Sequence, residues 1–323
     1  MNILLTGGSS SLIDSMILKL RKEGHRVFIL TGDKYKHNKY EKVFEKYEFP
    51  YDSENLNEIL ESVNPDVTIL MGAFDTNYYW NGEERENVRF VSHLVNILVA
   101  HSRFKKTKLI FLSSDEVYSG NYAHDIEEDE KFSGSGLKAE CLSQAEEMCR
   151  NFSENRGMDL IVLRLDHFYG IPKGKKDLNH IVDRMRLECL RDGYINHEFS
   201  MLYEKDAVEY IYQVVKRKKH EHFLYHLSSS DVVSELELAA MIQDEMKSEA
   251  NIITVPGGDG RCVLSGSRFE REYGVHAFCD WKKAVKDIVS YMQRHKGVFL
   301  KDDELKKPWW KRLWEKWKWL LHV

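Results

Sequence analysis

Cysteine and proline are both scarce in this chain, whose 323 residues include five of each. The cysteines are scattered, none forms a CxxC pair and their number is odd, which argues against a disulfide framework and against a zinc ribbon. We therefore expect a reducing compartment, the cytoplasm. The low proline content also argues against a proline-rich linker.

Long apolar runs and a basic charge excess are lacking as well. No stretch approaches 18 apolar residues, so no membrane-spanning helix is expected. No basic segment with an apolar run behind it precedes the first predicted strand, so no secretory signal is expected. The formal net charge of −5 argues against a nucleic-acid partner, which requires a basic face. Hydrophobic residues make up 42% of the chain, enough to form a core.

Short apolar runs alternate with longer amphipathic segments in the first half of the chain. This order predicts an α/β fold with a doubly wound parallel sheet of the Rossmann type, because parallel strands need crossover helices that cover both faces. The predicted strands are residues 3–5, 27–30, 67–71, 109–112 and 160–163. The predicted helices between them are residues 12–22, 56–63, 88–101 and 138–155.

After about residue 166 the alternation loosens, and the predicted helices lie among short strands. These helices are residues 177–191, 206–216, 235–245 and 282–294. We predict a dinucleotide-binding-type domain over residues 1–165 and a smaller substrate lobe over 166–295, interleaved with closing elements of the sheet. Residues 296–323 form a separate tail.

The turn after the first strand, from Thr6 to Ile13, reads TGGSSSLI. It lies where a dinucleotide fold binds pyrophosphate at a helix N-terminus. The sequence resembles the extended short-chain dehydrogenase/reductase family, the NAD-dependent nucleotide-sugar epimerases and dehydratases, whose pattern here is TGGxGxxG. Ser10 and Ile13 replace the later glycines. A serine-rich helix cap that binds nothing is the alternative interpretation.

The resemblance implies a set of residues for NAD or NADP. Asp33, after the second strand, suits a ribose hydroxyl, whereas Lys34 and Lys36 suit a 2′-phosphate, so the choice of dinucleotide stays open. A solvated loop is the simpler alternative for these three side chains. The candidate cofactor-binding residues are Thr6, Gly7, Gly8, Ser10, Ser11, Asp33, Asp52, Asn87 and Lys138.

The segment SSDEVY, from Ser113 to Tyr118, resembles the SSxxVYG motif of the family. The resemblance makes Ser114 the hydroxyl that binds the reacting oxygen of the substrate. Asp115 and Glu116 resemble the acid pair of the nucleotide-sugar 4,6-dehydratases, and two carboxyls in one cleft can divide acid and base roles. A polar loop at the end of a strand is the alternative.

The YxxxK motif of the family is incomplete here. Lys138 matches its lysine, but Gly134 stands four residues earlier, where the base tyrosine is expected. Loss of a general base removes about 10²–10⁴-fold in rate, so we predict that standard catalysis is reduced or lost. The candidate catalytic residues are Ser114, Asp115, Glu116 and Lys138, and Glu116 is the candidate substitute base.

Further motifs resemble the substrate side of the family. LRLDHFYG, from Leu163 to Gly170, has His167 in place of an asparagine, and a later motif contains Tyr203. The predicted substrate-side residues are His167, Tyr169 and Tyr203. Three histidines between residues 220 and 226 would share one face of a strand, but no cysteine accompanies them, so no metal site is predicted.

The tail has a composition of its own. Residues 306–323 contain five tryptophans and six Lys or Arg residues against the single acid Glu315. As a helix, the segment would place most tryptophans on one side and most cations on the other. Such a helix suits an anionic membrane surface, here the inner face of the membrane. Docking on the chain's own domain or on a partner protein is the alternative.

Two functional hypotheses remain open. One is an NAD(P)-dependent enzyme acting on a nucleotide sugar in surface-polysaccharide metabolism. The other is a non-catalytic regulatory or scaffolding module at the membrane, with the same fold and a retained nucleotide site. A homodimer is compatible with both hypotheses.

Overall fold

Strands and helices follow one another in the order that the apolar patterns predict. The structure, a computed structural model, describes residues 1–6, 11–31, 45–48, 53–71, 84–104, 106–171, 194–229, 231–247 and 254–295. The strands are β1 (Asn2–Thr6), β2 (Arg26–Thr31), β3 (Glu45–Glu48), β4 (Val67–Leu70), β5 (Lys108–Ser114), β6 (Leu160–Leu165), β7 (His167–Tyr169), β8 (Tyr194–Tyr203), β9 (Leu224–Leu227), β10 (Val232–Ser234) and β11 (Thr254–Cys262). The helices are α1 (Ser11–Lys22), α2 (Ser53–Val63), α3 (Glu84–His101), α4 (Leu137–Arg156), α5 (Glu204–Lys216), α6 (Glu235–Met246), α7 (Ser267–Tyr273) and α8 (Trp281–Arg294).

Seven parallel strands form the main sheet in the order β3-β2-β1-β4-β5-β6-β9. Leu5 of β1 lies between Ile29 of β2 and Ile69 of β4. The strand order therefore reverses at β1, and such a switch point opens a ligand crevice at the carboxyl ends of the strands. The prediction of a doubly wound parallel sheet is confirmed.

The helices cover the sheet in two groups. α1 packs against α5, and α2, α3 and α4 pack side by side. The strands between them are buried on both faces, which is why β4, β5 and β6 read as continuous apolar runs.

A second, four-stranded sheet lies in the later part of the chain. β8 pairs with β10 in antiparallel and with β7 and β11 in parallel orientation. A separate hydrophobic core joins β8 to α6 and α8 through Phe199, Leu238 and Val285. β8 extends over ten residues, longer than the short strands that the sequence predicts here.

Two of the sequence predictions fall outside the described residues. They are the helix at 177–191 and the tryptophan-rich tail beyond residue 295. Within the described residues, no helix combines the length and the apolar content that a membrane crossing requires.

Candidate active site

The carboxyl end of β5 carries the polar segment Ser114-Asp115-Glu116. All seven residues of β5 are buried, and the chain then turns into a short 3-10 helix, Asp115–Val117. Ser114 caps this turn, since its Oγ accepts a hydrogen bond from the Glu116 N–H at 3.3 Å. The same hydroxyl donates to Asp115 Oδ1 at 2.8 Å, which fixes its position at the edge of the sheet.

A histidine lies at the same end of the sheet, just after the neighbouring strand β6. Ser114 pairs with Leu165, the last residue of β6, so Asp166 and His167, the first residue of β7, lie close to the residues that follow Ser114. His167 Nδ1 contacts Asp115 Oδ2 and lies 3.7 Å from Asp166 Oδ1. The structure therefore joins Asp115, Asp166 and His167 in one cluster, the Asp-His-Asp cluster.

Each carboxylate oxygen of Asp166 accepts a hydrogen bond. Its Oδ1 accepts the His167 backbone N–H at 2.8 Å and its Oδ2 accepts the Ser228 hydroxyl at 2.5 Å. Only 1% of the residue is exposed. Sequence reasoning missed Asp166, although an acid directly after a buried strand and next to a candidate site residue was a usable signal.

The charges of the cluster follow from burial and from the Asp115–His167 contact. Burial favours neutral His167, but the Asp115 carboxylate and then Asp166 outweigh it and raise the pKa of His167 to about 10. Burial likewise opposes the charge on Asp115, yet His167 lowers the pKa of this carboxyl overall. Burial, with the Asp115 charge adding to it, raises the pKa of Asp166. At neutral pH the cluster thus contains an imidazolium paired with the Asp115 carboxylate.

Glu116 and Lys138 form a second ion pair beside the cluster. Lys138 lies in the first turn of α4, and its Nζ is 2.6 Å from Glu116 Oε1. The Lys138 charge also contributes to lowering the pKa of Asp115. The structure therefore brings together four candidate catalytic residues, Ser114, Asp115, Glu116 and Lys138, with His167.

Gly134 lies outside the helix that carries Lys138, because α4 begins only at Leu137. The Gly134 N–H donates to the Val117 carbonyl at 2.8 Å. A Cβ atom at Gly134 would lie 2.3 Å from the Glu116 carbonyl oxygen and 2.7 Å from the Ala139 Cβ. Position 134 therefore lies in the loop before α4, in agreement with the helix that the sequence predicts from residue 138.

Gly134→Tyr is accordingly expected to lower the melting temperature and to add no activity. A clash with the backbone of Glu116 and Val117 and with the Ala139 side chain forces the loop to move. Overpacking of this kind costs about 1–3 kcal/mol. Thermal unfolding of Gly134→Tyr and of Ser135→Tyr, at the exposed neighbouring position, provides the comparison. Equal melting temperatures for the two variants would contradict the assigned loop geometry.

The remaining predicted residues are placed as follows. Thr6 ends β1, and its carbonyl accepts the Met71 N–H at 3.1 Å. Ser11 begins α1 and Asn87 lies in α3, but their side chains are outside the description, as are Gly7, Gly8, Ser10, Asp33 and Asp52 entirely.

The tyrosines assigned to the substrate side lie in the second core. Tyr169 is fully buried, and its ring centre is 5.3 Å from that of Tyr203. In this position Tyr169 supports the core beneath the second sheet. Of the three substrate-side candidates, His167 is the one that the structure brings into the cluster with Ser114.

The three histidines between residues 220 and 226 have separate partners. His220 Nδ1 contacts the Tyr273 hydroxyl, whereas His226 Nε2 lies 3.0 Å from the Tyr118 hydroxyl. Of the three, His226 alone lies in a strand, β9, so they do not share one strand face.

The described residues fit a dinucleotide at the edge of the main sheet. The strand order reverses at β1, and α1 begins at Ser11 shortly after that strand ends. The Lys138 ammonium and the Ser114 hydroxyl lie beyond β5 at the same edge. Hydrogen-bond donors at a switch point suit phosphate and ribose oxygens.

Known proteins resemble this chain over most of its length. A model of the NAD dependent epimerase/dehydratase family matches residues 3–231. The UDP-glucose 4-epimerase of Thermotoga maritima, solved with UDP-glucose, is 17% identical with a TM-score of 0.77, over 92% of this chain and all of that one. The dTDP-glucose 4,6-dehydratase of Bacillus anthracis, solved with NAD, is 16% identical with a TM-score of 0.77, over 95% of this chain and all of that one.

Sequence relatives are similarly distant. The dTDP-D-glucose 4,6-dehydratase of Dictyostelium discoideum is 22% identical over 273 residues, which cover 74% of this chain and 61% of that enzyme. The chain spans less than two thirds of the length of the first curated relatives that it matches.

Proposed function

This chain belongs to the NAD-dependent epimerase/dehydratase family, and from that premise we propose that it binds NAD or NADP and a nucleotide-sugar-like molecule, with standard tyrosine-based catalysis reduced or lost. The observation that carries the second half of the proposal is the backbone at Gly134. No side chain fits there, because a Cβ atom would lie 2.3 Å from the Glu116 carbonyl oxygen. The ammonium of Lys138 is paired with a carboxylate, Glu116, at 2.6 Å.

The proposed ligands follow from the fold and the relatives. Two structural neighbours were solved with UDP-glucose and with NAD, and both extend over more than nine tenths of this chain. A nicotinamide, when bound, supplies the acceptor or donor of a hydride. Ser114 would orient the reacting oxygen of the sugar, and Lys138 would hold the dinucleotide. A role in surface-polysaccharide metabolism is part of this proposal.

A second candidate function is an active epimerase or 4,6-dehydratase that uses Ser114, Asp115, Glu116 and Lys138. The Glu116–Lys138 ion pair favours it, because a carboxylate beside an ammonium could accept the proton that a tyrosine accepts elsewhere. Glu116 is also 40% exposed at its side chain, so a substrate could reach it.

Ligand release and turnover assays test both candidates. We expect mass spectrometry of the denatured protein to find NAD(H) or NADP(H), and we expect negligible epimerase or dehydratase turnover of UDP-, GDP- and dTDP-sugars. Robust turnover that disappears in Glu116→Gln, but persists in the control Glu140→Gln on the exposed side of α4, would instead establish Glu116 as the base. Absence of any bound or binding dinucleotide would refute the first proposal.

For the tail we propose attachment to an anionic membrane surface, an argument that rests on the sequence alone. Each Lys or Arg close to such a surface contributes about 1 kcal/mol, so six cations contribute several kcal/mol at low salt. Tryptophans suit the headgroup layer. A regulatory or scaffolding role at the membrane would be compatible with reduced catalysis.

We expect the full chain to sediment with phosphatidylserine-containing vesicles, and salt to weaken this binding through screening. A chain that ends at Gly297 should remain in the supernatant, as should the full chain with neutral phosphatidylcholine vesicles. If the two chains sediment equally, the membrane proposal fails. A lower melting temperature of the shortened chain, with no difference in lipid binding, would indicate docking on the folded domain.

A further inference from the structure

His167 presents only one of its two ring nitrogens to the surroundings. Nδ1 is fully buried and contacts Asp115 Oδ2, whereas 29% of the side chain is exposed, and the rest of the ring, which includes Nε2, supplies that exposure. An imidazole held at Nδ1 by a carboxylate, with Nε2 open, has the arrangement that proton transfer requires.

Ser114 lies next to this imidazole on the same carboxylate. The Ser114 hydroxyl donates to Asp115 Oδ1 at 2.8 Å, while His167 contacts Oδ2. A substrate oxygen that takes over the Ser114 hydrogen bond would therefore lie close to the carboxylate that His167 contacts. Ser114 ends β5, and His167 begins β7, which follows β6 directly; the last residue of β6, Leu165, pairs with Ser114.

The groups packed around His167 favour its charged form. Asp115 comes from the 3-10 helix and Asp166 lies directly after β6, and both stabilise the imidazolium. His197, on β8, is kept neutral by burial and by the charge of His167, which lower its pKa. Cys262, on β11, is kept neutral by burial and by the two carboxylates, which raise the pKa of its thiol to about 12. The charge of Lys138 contributes to lowering the pKa of Asp115.

We propose that His167 is the proton donor of this site, and that the site reduces the carbonyl group of a keto sugar nucleotide. This inference rests on the proposed function, since it needs a nicotinamide dinucleotide at the sheet edge. The carbonyl carbon accepts a hydride from the reduced dinucleotide, and the π electrons of the C=O bond move to the oxygen. The oxygen takes the proton from His167 Nε2, which leaves an alcohol, an oxidised dinucleotide and a neutral imidazole that solvent reprotonates.

The protonation state decides which direction the form of the site present at neutral pH is ready to catalyse. A family member that oxidises an alcohol needs a base, and position 134 offers none. His167 already holds a proton at neutral pH, so it serves as an acid there and as a base only above its raised pKa. A site with a built-in acid and no tyrosine is suited to carbonyl reduction.

A purely structural role for the Asp115–His167 ion pair is the competing explanation, and a readout that does not depend on turnover is needed. Nitrogen NMR of the imidazoles should reveal one histidine that stays protonated well above neutral pH. Its signal should be absent in His167→Asn and present in the control His276→Asn, whose side chain is 71% exposed. In Asp115→Asn the titration should shift to lower pH.

The second measurement is the turnover of dTDP-4-keto-6-deoxyglucose with NADH and with NADPH. We expect consumption of the reduced dinucleotide by the full chain and by His276→Asn, and a loss of about 10²–10⁴-fold in kcat with little change in KM for His167→Asn. Calorimetry of dinucleotide binding accompanies every variant. If the dinucleotide binds but no ketone is reduced, or if His167→Asn reduces it normally, this inference is wrong and the binding proposal stands. If no dinucleotide binds, both fail.

Discussion

Arg164→Met should destabilise this protein by about 3–5 kcal/mol, because it leaves a buried carboxylate without its partner. Arg164 of β6 and Glu146 of α4 are almost entirely buried, with 3% and 5% of their side chains exposed. The guanidinium donates to Glu146 through Nε at 3.1 Å and through the second nitrogen at 2.7 Å, a bidentate pairing. Urea unfolding measures the loss.

The Arg164–Glu146 ion pair also supports the turn that carries Ser114. The Ser113 hydroxyl, next to Ser114, donates to Glu146 Oε1 at 2.5 Å, and Arg164 contacts the Tyr118 hydroxyl. Tyr118 in turn lies 3.0 Å from His226 Nε2. We therefore expect Arg164→Met to loosen the turn that carries Ser114 as well as to lower stability.

Two controls separate the buried pair from a general loss of charge. Lys282→Met removes an exposed ion pair with Glu237 and should leave the free energy of unfolding nearly unchanged. Arg164→Met combined with Glu146→Met removes both charges and should recover much of the loss. If Arg164→Met alone is as stable as the parent protein, the assigned pairing of Arg164 with Glu146 is refuted.

The stability of the protein should fall as the pH rises from neutrality, and His167 should account for a distinct part of the fall. The pKa of His167 is raised in the folded state, from 6.5 to about 10. Its contribution is therefore complete below the unfolded pKa and disappears as the pH passes through the folded one. We expect a loss of a few kcal/mol over this window in the parent protein.

His167→Asn provides the comparison, since every other titrating group stays in place. Its free energy of unfolding should depend less on pH across the same window, and the two curves should converge at alkaline pH. The contribution of Asp115 to stability changes with pH in the opposite direction. Its pKa is lowered in the folded state, so its contribution is lost as the pH falls toward acid. Parallel curves for parent and variant would exclude the Asp115–His167 ion pair as a source of stability.

The main sheet was predictable because its central strands are buried on both faces. Such strands appear as continuous apolar runs, and helices of apolar spacing separate them along the chain. β3 was missed because its sequence, EKYE, has no apolar run. β11 was missed because its sequence, TVPGGDGRC, reads as a loop, and it becomes a strand through pairing with β8.

Part of the candidate site was likewise predictable from the sequence, and part was not. Ser114, Asp115 and Glu116 were predicted because their segment resembles the SSxxVYG motif of the family. Lys138 was predicted from its match to the lysine of the YxxxK motif. The pairing of Glu116 with Lys138 and the contact of Asp115 with His167 join residues that are distant in the chain, and no local pattern encodes them.

By itself, the sequence determined the fold, since the order of apolar runs and amphipathic segments is local. Its resemblance to the family indicated the end of the sheet that carries the candidate site and the absence of the expected tyrosine. Only the tertiary structure decided that Gly134 has no room for a side chain, because the obstructing atoms belong to Glu116, Val117 and Ala139. It also decided that His167 is charged, because a charge on an imidazole depends on the carboxylates that folding brings beside it.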